Sequence, residues 1–385
     1  MQSFAQSPTD PAFVQDPYPF YDRLRAAGPL AFWTAYDMPV ATSHAVVSAL
    51  LRDRRFGRED PFPPERPPHQ AGFWAVEDHS MLELEPPRHT RLRAQVLRAF
   101  TSRRIAALGP EIAALAHELV DAFPAGPFDL LDAFARPLPV RVIARLLGVP
   151  EDDAPRLLDW SNAMVGMYQA GRDHRAEVAA ARAATEFAAY LADIFARPPG
   201  DGLIADLLAV ERDGKLRRAE TTATCILLLN AGHEATVHTL GNGVAGICSA
   251  GLWGAPVTPD LVEEVLRHDP PLHMFTRYAM EEVEVFDHGF ARGDQVGLLL
   301  GAANRDPAVY PAPGRFDPTR FPAAPAPVSF GAGLHFCLGA PLARLELVEG
   351  LRVLVERCPG LRIMEPTTYA DIYHFHGLER LPVHR

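Results

Sequence analysis

Apolar positions recur at helical spacing through most of the chain and alternate in only a few short stretches. Residues 17–27 and 43–51 carry helical spacing, and between them residues 30–41 hold β-prone Phe32, Trp33, Thr34 and Val40 around a Tyr36-Asp37 turn. Residues 59–72 are crowded with Pro61, Pro63, Pro64, Pro67 and Pro68, which predicts a long surface loop ending near Phe73 and Trp74. Pro87 opens a basic helix, and residues 110–197 read as amphipathic helices interrupted at Pro124, Pro137, Pro150 and Gly171. The longest helix is predicted over 216–248, and residues 369–382 read as a β-hairpin with Phe375 at its tip. The pattern predicts a mostly α fold with small β-sheets, a β-containing part at about 29–41 and a helical core at about 88–268.

No Gly/Ser linker, charge block or internal repeat divides the 385 residues, so one domain over 1–385 is expected. Apolar runs such as 223–229 are far shorter than the ~20 residues that span a bilayer, so no membrane association is expected. The N-terminus lacks the basic start and apolar core of a secretory signal, which points to the cytoplasm. A net charge of -11 argues against a nucleic-acid partner, because phosphate neutralisation needs a concentrated basic face. Cys225, Cys248, Cys337 and Cys358 show no CxxC spacing, which leaves three core thiols and one with chemistry.

That one is Cys337. It lies in Phe330-Gly331-Ala332-Gly333-Leu334-His335-Phe336-Cys337-Leu338-Gly339, directly before an amphipathic run over 340–354. The glycines permit a tight turn with positive φ, Gly339 lets a flat ligand approach the backbone, and Pro341 suits a first helical turn. Free N–H groups and the positive end of a helix dipole stabilise a thiolate, as an axial haem ligand requires. Taken alone, such a cysteine also reads as a small buried hydrophobe.

The spacing of Phe330, Gly333, His335 and Gly339 about Cys337 resembles the haem-binding signature of the cytochrome P450 superfamily, and the likeness extends over most of the chain towards the soluble bacterial members. The resemblance implies heme b lying between a long distal helix and the loop 330–339, with Cys337 on the iron and Phe330, Gly331, His335 and Gly339 around the cofactor. His89 and Arg93 share a helical face that by itself is also a solvated basic surface; by resemblance they hold a haem propionate, as do Arg277 and His335. Arg98, Arg103 and Arg104 are expected to steer an acidic ferredoxin.

Within the longest helix, Leu227, Asn230, Ala231, Glu234 and Ala235 form one stripe, which the resemblance turns towards the oxygen-binding side of the haem. Gly232 signals close packing, a local opening or a ligand passing near. Glu234 stands where the family's acid aids proton delivery, but Ala235 replaces the usual Thr, and Thr236 lies about 100° further round the helix. Glu264, Arg267 and Arg320 resemble the family's structural triad. Phe73, Trp74, Met164, Leu227, Asn230, His273, His374 and Phe375 are the expected pocket residues, which would make its lining polar and imidazole-rich. The connection 249–259 is shorter than usual for the family, implying a truncated helix there.

The expected activity is that of a monooxygenase placing one atom of O2 into a small organic substrate. Electrons come from NAD(P)H through a separate reductase and a ferredoxin or flavodoxin-type partner, and water or substrate assists proton delivery at Ala235. An H2O2-using peroxygenase and a non-catalytic haem sensor stay open as alternatives. A cysteine hydrolase is remote, because no His/Asn partner pattern accompanies Cys337.

Overall fold

A computed structural model describes residues 1–169, 171–198, 200–371, 373 and 375–385, so the expectation placed on His374 lies outside the described residues. The backbone groups into two units, one built from 1–62, 111–135 and 235–385, the other from 63–110 and 136–234.

The first unit holds the sheets. Leu30–Trp33 and Met38–Ala41 form the expected antiparallel pair, turning at Asp37 with φ 50°. They extend into a six-stranded sheet in the order Ser3–Phe4, Leu30–Trp33, Met38–Ala41, Gln295–Leu299, Met274–Ala279, Phe56–Gly57. Helix His44–Arg52 is capped by Ser43, whose Oγ accepts from Val46 N at 3.3 Å. Its Val47, Leu50 and Leu51 pack with Val296, Leu298 and Phe290 into one core. The residues Phe13, Phe20, Tyr21 and Trp33 build a second, aromatic core. Thr368–Tyr369 pairs antiparallel with Leu378–Arg380, which places Phe375 in the hairpin tip as expected.

The second unit is helical: Ala71–Glu77, Arg88–Ala99, Pro137–Leu147, Ala154–Val165, His174–Phe195 and Leu203–Arg212 are its main pieces. The proline-rich stretch departs from expectation. It ends early, because Pro68–Gln70 forms a 3-10 turn running straight into helix Ala71–Glu77, so Phe73 and Trp74 stand on a helix rather than at the end of a loop. Proline in a first helical turn loses no hydrogen bond, which reconciles Pro68 with helix initiation.

The long helix spans Arg218–Ser249, 32 residues, and most of its positions are buried. Near its start, burial works to raise the Glu220 carboxyl, but hydrogen bonds from Arg91 and Arg217 at 2.5 and 2.7 Å overcome this and hold it at about 2. After Ser249 the chain reaches helix Pro259–His268 through turns alone, in keeping with the short connection. Among the described residues no helix is long and apolar enough to cross a membrane.

Candidate active site

The loop 330–339 is shaped by two left-handed glycines, with φ of 68° at Gly331 and 71° at Gly333. A Cβ on Gly333 would stand 2.5 Å from the Leu51 carbonyl oxygen, so the turn passes where no side chain fits. Cys337 N–H donates to Phe330 O at 2.9 Å and closes the neck of the loop. Helix Ala340–Arg357 starts immediately behind, with Gly339 as its N-cap residue and Pro341 in its first turn. Cys337 is partly exposed. The thiols of Cys225 and Cys248, by contrast, are pushed by burial up to about 12 and about 11, which keeps them neutral.

The loop is braced from behind. Glu264 and Arg267 are fully buried and paired in fork geometry, Nε to Oε2 at 2.6 Å and Nη2 to Oε1 at 2.8 Å. Arg320 Nε lies 3.3 Å from Glu264 Oε2, so the three residues expected to pair do come together. Arg267 Nη1 then donates to the carbonyls of Asn304 and Pro313 at 3.0 and 2.9 Å. The Asn304 side chain carries the contact onward: Oδ1 accepts from Val328 N at 2.8 Å and Nδ2 donates to Ser329 Oγ at 2.7 Å. Sequence reasoning missed Asn304 and Ser329; the only available signal was an Asn in an apolar stretch.

On the long helix, every residue from 223 to 240 is buried except Leu227, Asn230, Ala231, Gly232, Glu234, Ala235 and His238. The uncovered positions are thus the predicted stripe, with His238 continuing it and Gly232 beside it. Asn230 offers a buried Oδ1 without a hydrogen-bond partner, and its Nδ2 lies 3.7 Å from Met164 Sδ, so two expected pocket residues meet. Phe375 stacks near His238 with ring centroids 5.7 Å apart.

Glu234 is partly exposed, with its Oε2 3.3 Å from Nε2 of the fully buried His233. His233 Nδ1 is anchored at 2.9 Å from Leu229 O. No role was read for His233 from sequence. Thr236 is buried on another face of the helix, and the Thr239 hydroxyl donates to the Ala235 carbonyl at 2.6 Å.

The structure gives three expected positions specific neighbours. The helix runs unbroken through Gly232, and a Cβ there would meet Ile143 Cγ1 at 2.9 Å, so close packing, one of the readings left open for this glycine, is present. His273 is enclosed rather than lining an imidazole-rich pocket. Its Nδ1 lies 2.9 Å from Tyr21 Oη, and burial pushes its ring down to about 4, so it is neutral. Phe73 is buried against Trp74 and Tyr168, whereas Trp74 is half-buried, donates to Gln70 Oε1 at 2.9 Å and receives Arg66 over its ring.

The loop fits a haem ligand: a thiol at a helix start within a glycine-shaped neck. His89 and Arg277 are buried and Arg93 and His335 partly buried, the first and third on helix Arg88–Ala99 and the others on strand Met274–Ala279 and the ligand loop.

A family model described as "Cytochrome P450" matches residues 242–359. The chain is 35% identical over 395 residues to "Biotin biosynthesis cytochrome P450" of Bacillus subtilis (strain 168), covering 99% of each. It is 37% identical over 369 residues to "Cytochrome P450 monooxygenase PikC" of Streptomyces venezuelae, covering 91% of this chain and 86% of that one. A solved structure of P450BioI in complex with hexadec-9Z-enoic acid ligated acyl carrier protein superposes with a TM-score of 0.90 at 34% identity, covering 97% of this chain and 99% of that one. The fold, the loop that carries Cys337 and these likenesses over nearly the whole chain place it in the cytochrome P450 family, as an oxidoreductase of monooxygenase type.

Proposed function

We propose that the chain is a haem-thiolate monooxygenase that inserts one atom of O2 into a small organic substrate, with electrons from NAD(P)H arriving through a separate reductase and a ferredoxin- or flavodoxin-type carrier. The carrying observation is the place of Cys337, just before the start of helix Ala340–Arg357 in a loop necked by its own hydrogen bond to Phe330. When bound, haem supplies the oxygen-activating, one-electron chemistry. Cys337 would hold its iron, while His89, Arg93, Arg277 and His335 would neutralise its propionates by charge-assisted hydrogen bonds. Glu234 holds a proton-accepting carboxylate on the uncovered stripe, backed by the His233 ring. Exposed Arg98 and Arg103 supply cations to steer an acidic carrier.

Replacing Cys337 by His tests the reading. The wild type is expected to give the reduced carbon monoxide spectrum diagnostic of thiolate ligation, and an unchanged spectrum in the variant would refute the ligand assignment. The likeness to a P450 solved with an acyl carrier protein makes long-chain acyl groups, free and carrier-bound, the first compounds for spin-state titration.

One observation favours a second reading, use of H2O2. Ala235 offers no hydroxyl beside Glu234, and Thr236 is buried on another face. Turnover with H2O2 in the absence of reductase, at a rate matching the NAD(P)H-driven system, would select it.

A further inference from the structure

The end of helix Pro259–His268, the approach to strand Met274–Ala279 and the hairpin tip bring three metal-ligand atoms together inside one unit. Asp269 Oδ1 lies 3.5 Å from His273 Nε2 and 3.2 Å from His376 Nδ1. All three residues are more than nine-tenths buried, and neither nitrogen has a hydrogen bond of acceptable geometry.

The far side of each group is engaged. His376 Nε2 is 3.1 Å from the carbonyl oxygen of Val14, which can only accept, so that nitrogen carries the ring proton. The other ring nitrogen, Nδ1, faces a carboxylate oxygen. His273 Nδ1 is held by the Tyr21 hydroxyl, itself 2.8 Å from Tyr373 Oη. The carboxylate is fixed by two phenols, Tyr18 to Oδ1 at 2.6 Å and Tyr369 to Oδ2 at 2.5 Å. Arg305, the nearby cation, stacks on the Tyr18 ring and donates to His268 O.

Imidazoles backed by a carbonyl or hydroxyl and a carboxylate backed by hydroxyls are the supporting shell of a metal centre. Two imidazole nitrogens facing one carboxylate oxygen need a proton or a metal cation among them. Zinc bound to N and O at ~2.0–2.2 Å in tetrahedral geometry sets neighbouring ligand atoms roughly 3.3–3.6 Å apart, close to both separations here.

We propose that Asp269, His273 and His376 hold a zinc-type divalent cation, distinct from the haem site, that staples the hairpin tip to the end of helix Pro259–His268. His376 is the residue after Phe375, so the ion would fix the tip segment that packs beside His238 on the long helix. A second cluster, His69, His174 and Glu177, lies in the other unit; there His69 Nε2 and Glu177 Oε2 already bond at 2.7 Å, so no cation is required.

The test uses haem-loaded full-length protein incubated with zinc sulfate and passed through gel filtration. Metal content is measured by mass spectrometry, and melting temperature is followed with zinc and with a chelator. Zinc stoichiometric with the chain, a chelator-reversible rise in melting temperature, loss of both in His376→Gln and retention in His69→Ala support the site. A wild type without stoichiometric zinc and with a melting temperature insensitive to it overturns the proposal, the cation then being a proton. Zinc retained by His376→Gln but lost from His69→Ala overturns it in favour of the other cluster.

Discussion

Asn304 and Ser329 are joined by a 2.7 Å hydrogen bond one residue before the loop 330–339 begins, and the Asn304 carbonyl in turn accepts from Arg267. Through this one asparagine the buried ion pair reaches the segment that carries Cys337. Asn304→Ala is expected to strand Val328 N, at about 1–3 kcal/mol for a buried group left unmade, and to leave Ser329 Oγ with only its bond to the Leu266 carbonyl. Holoprotein with thiolate-type reduced-CO absorbance should fall, and an unchanged haem content would show that the loop stands without this tie.

Glu264→Ala or Arg267→Ala is expected to abolish holoprotein accumulation rather than turnover alone. Glu264→Ala leaves the fully buried Arg267 charge without a carboxylate, a loss of ~3–5 kcal/mol, and Arg267→Ala leaves Glu264 with the longer contact to Arg320 in place of its fork. Haem per chain after purification is the measurement; normal loading with lost catalysis would assign these residues to chemistry instead.

Gly232→Ala sets two effects against each other. Alanine raises helix propensity by up to about 1 kcal/mol, but its Cβ would overlap Ile143, and overpacking costs roughly 1–3 kcal/mol. Net destabilisation is expected. In an Ile143→Ala background the same change should stabilise, so a thermodynamic cycle by thermal melting gives a coupling of opposite sign to the single effect. Additive single changes would contradict the packing role.

His268 provides a pH signature. Burial foremost, then Arg305, pushes its ring down to about 4 from an ordinary value near 6.5. Between those values the unfolded chain binds the proton and the folded chain does not. Its stability contribution is therefore complete above about 6.5 and lost as pH falls towards 4. Melting temperature should decline across that window, and His268→Gln should flatten the decline; an equally steep profile in the variant would place the titration elsewhere.

Ala235→Thr restores a hydroxyl beside Glu234. Product formed per NAD(P)H consumed should rise for ligands lacking a hydroxyl near that position and change little for those that bring one. Equal and high coupling for both ligand types in the wild type would mean that the relay is completed by another group.

What the chain alone determined was local. The helix behind Cys337, the pair of strands around Asp37, the 32-residue helix and its uncovered stripe follow from residue spacing, because i, i+3, i+4 repeats and glycine turns act within a few residues of themselves. The Glu264–Arg267 pair was legible for the same reason, being three apart on one helix. Spacing carries no record of what an interior position meets across the fold. The packing of Gly232 became visible only with Ile143 opposite it, and the enclosure of His273 depends on Tyr21, 252 residues earlier. Pro68 and its neighbours looked like loop because proline forbids a helix interior, yet position within the first turn reverses that rule. Asn304 gained its role only where folding buried its amide beside Ser329, since a buried polar side chain must find its partner wherever the tertiary structure has placed one.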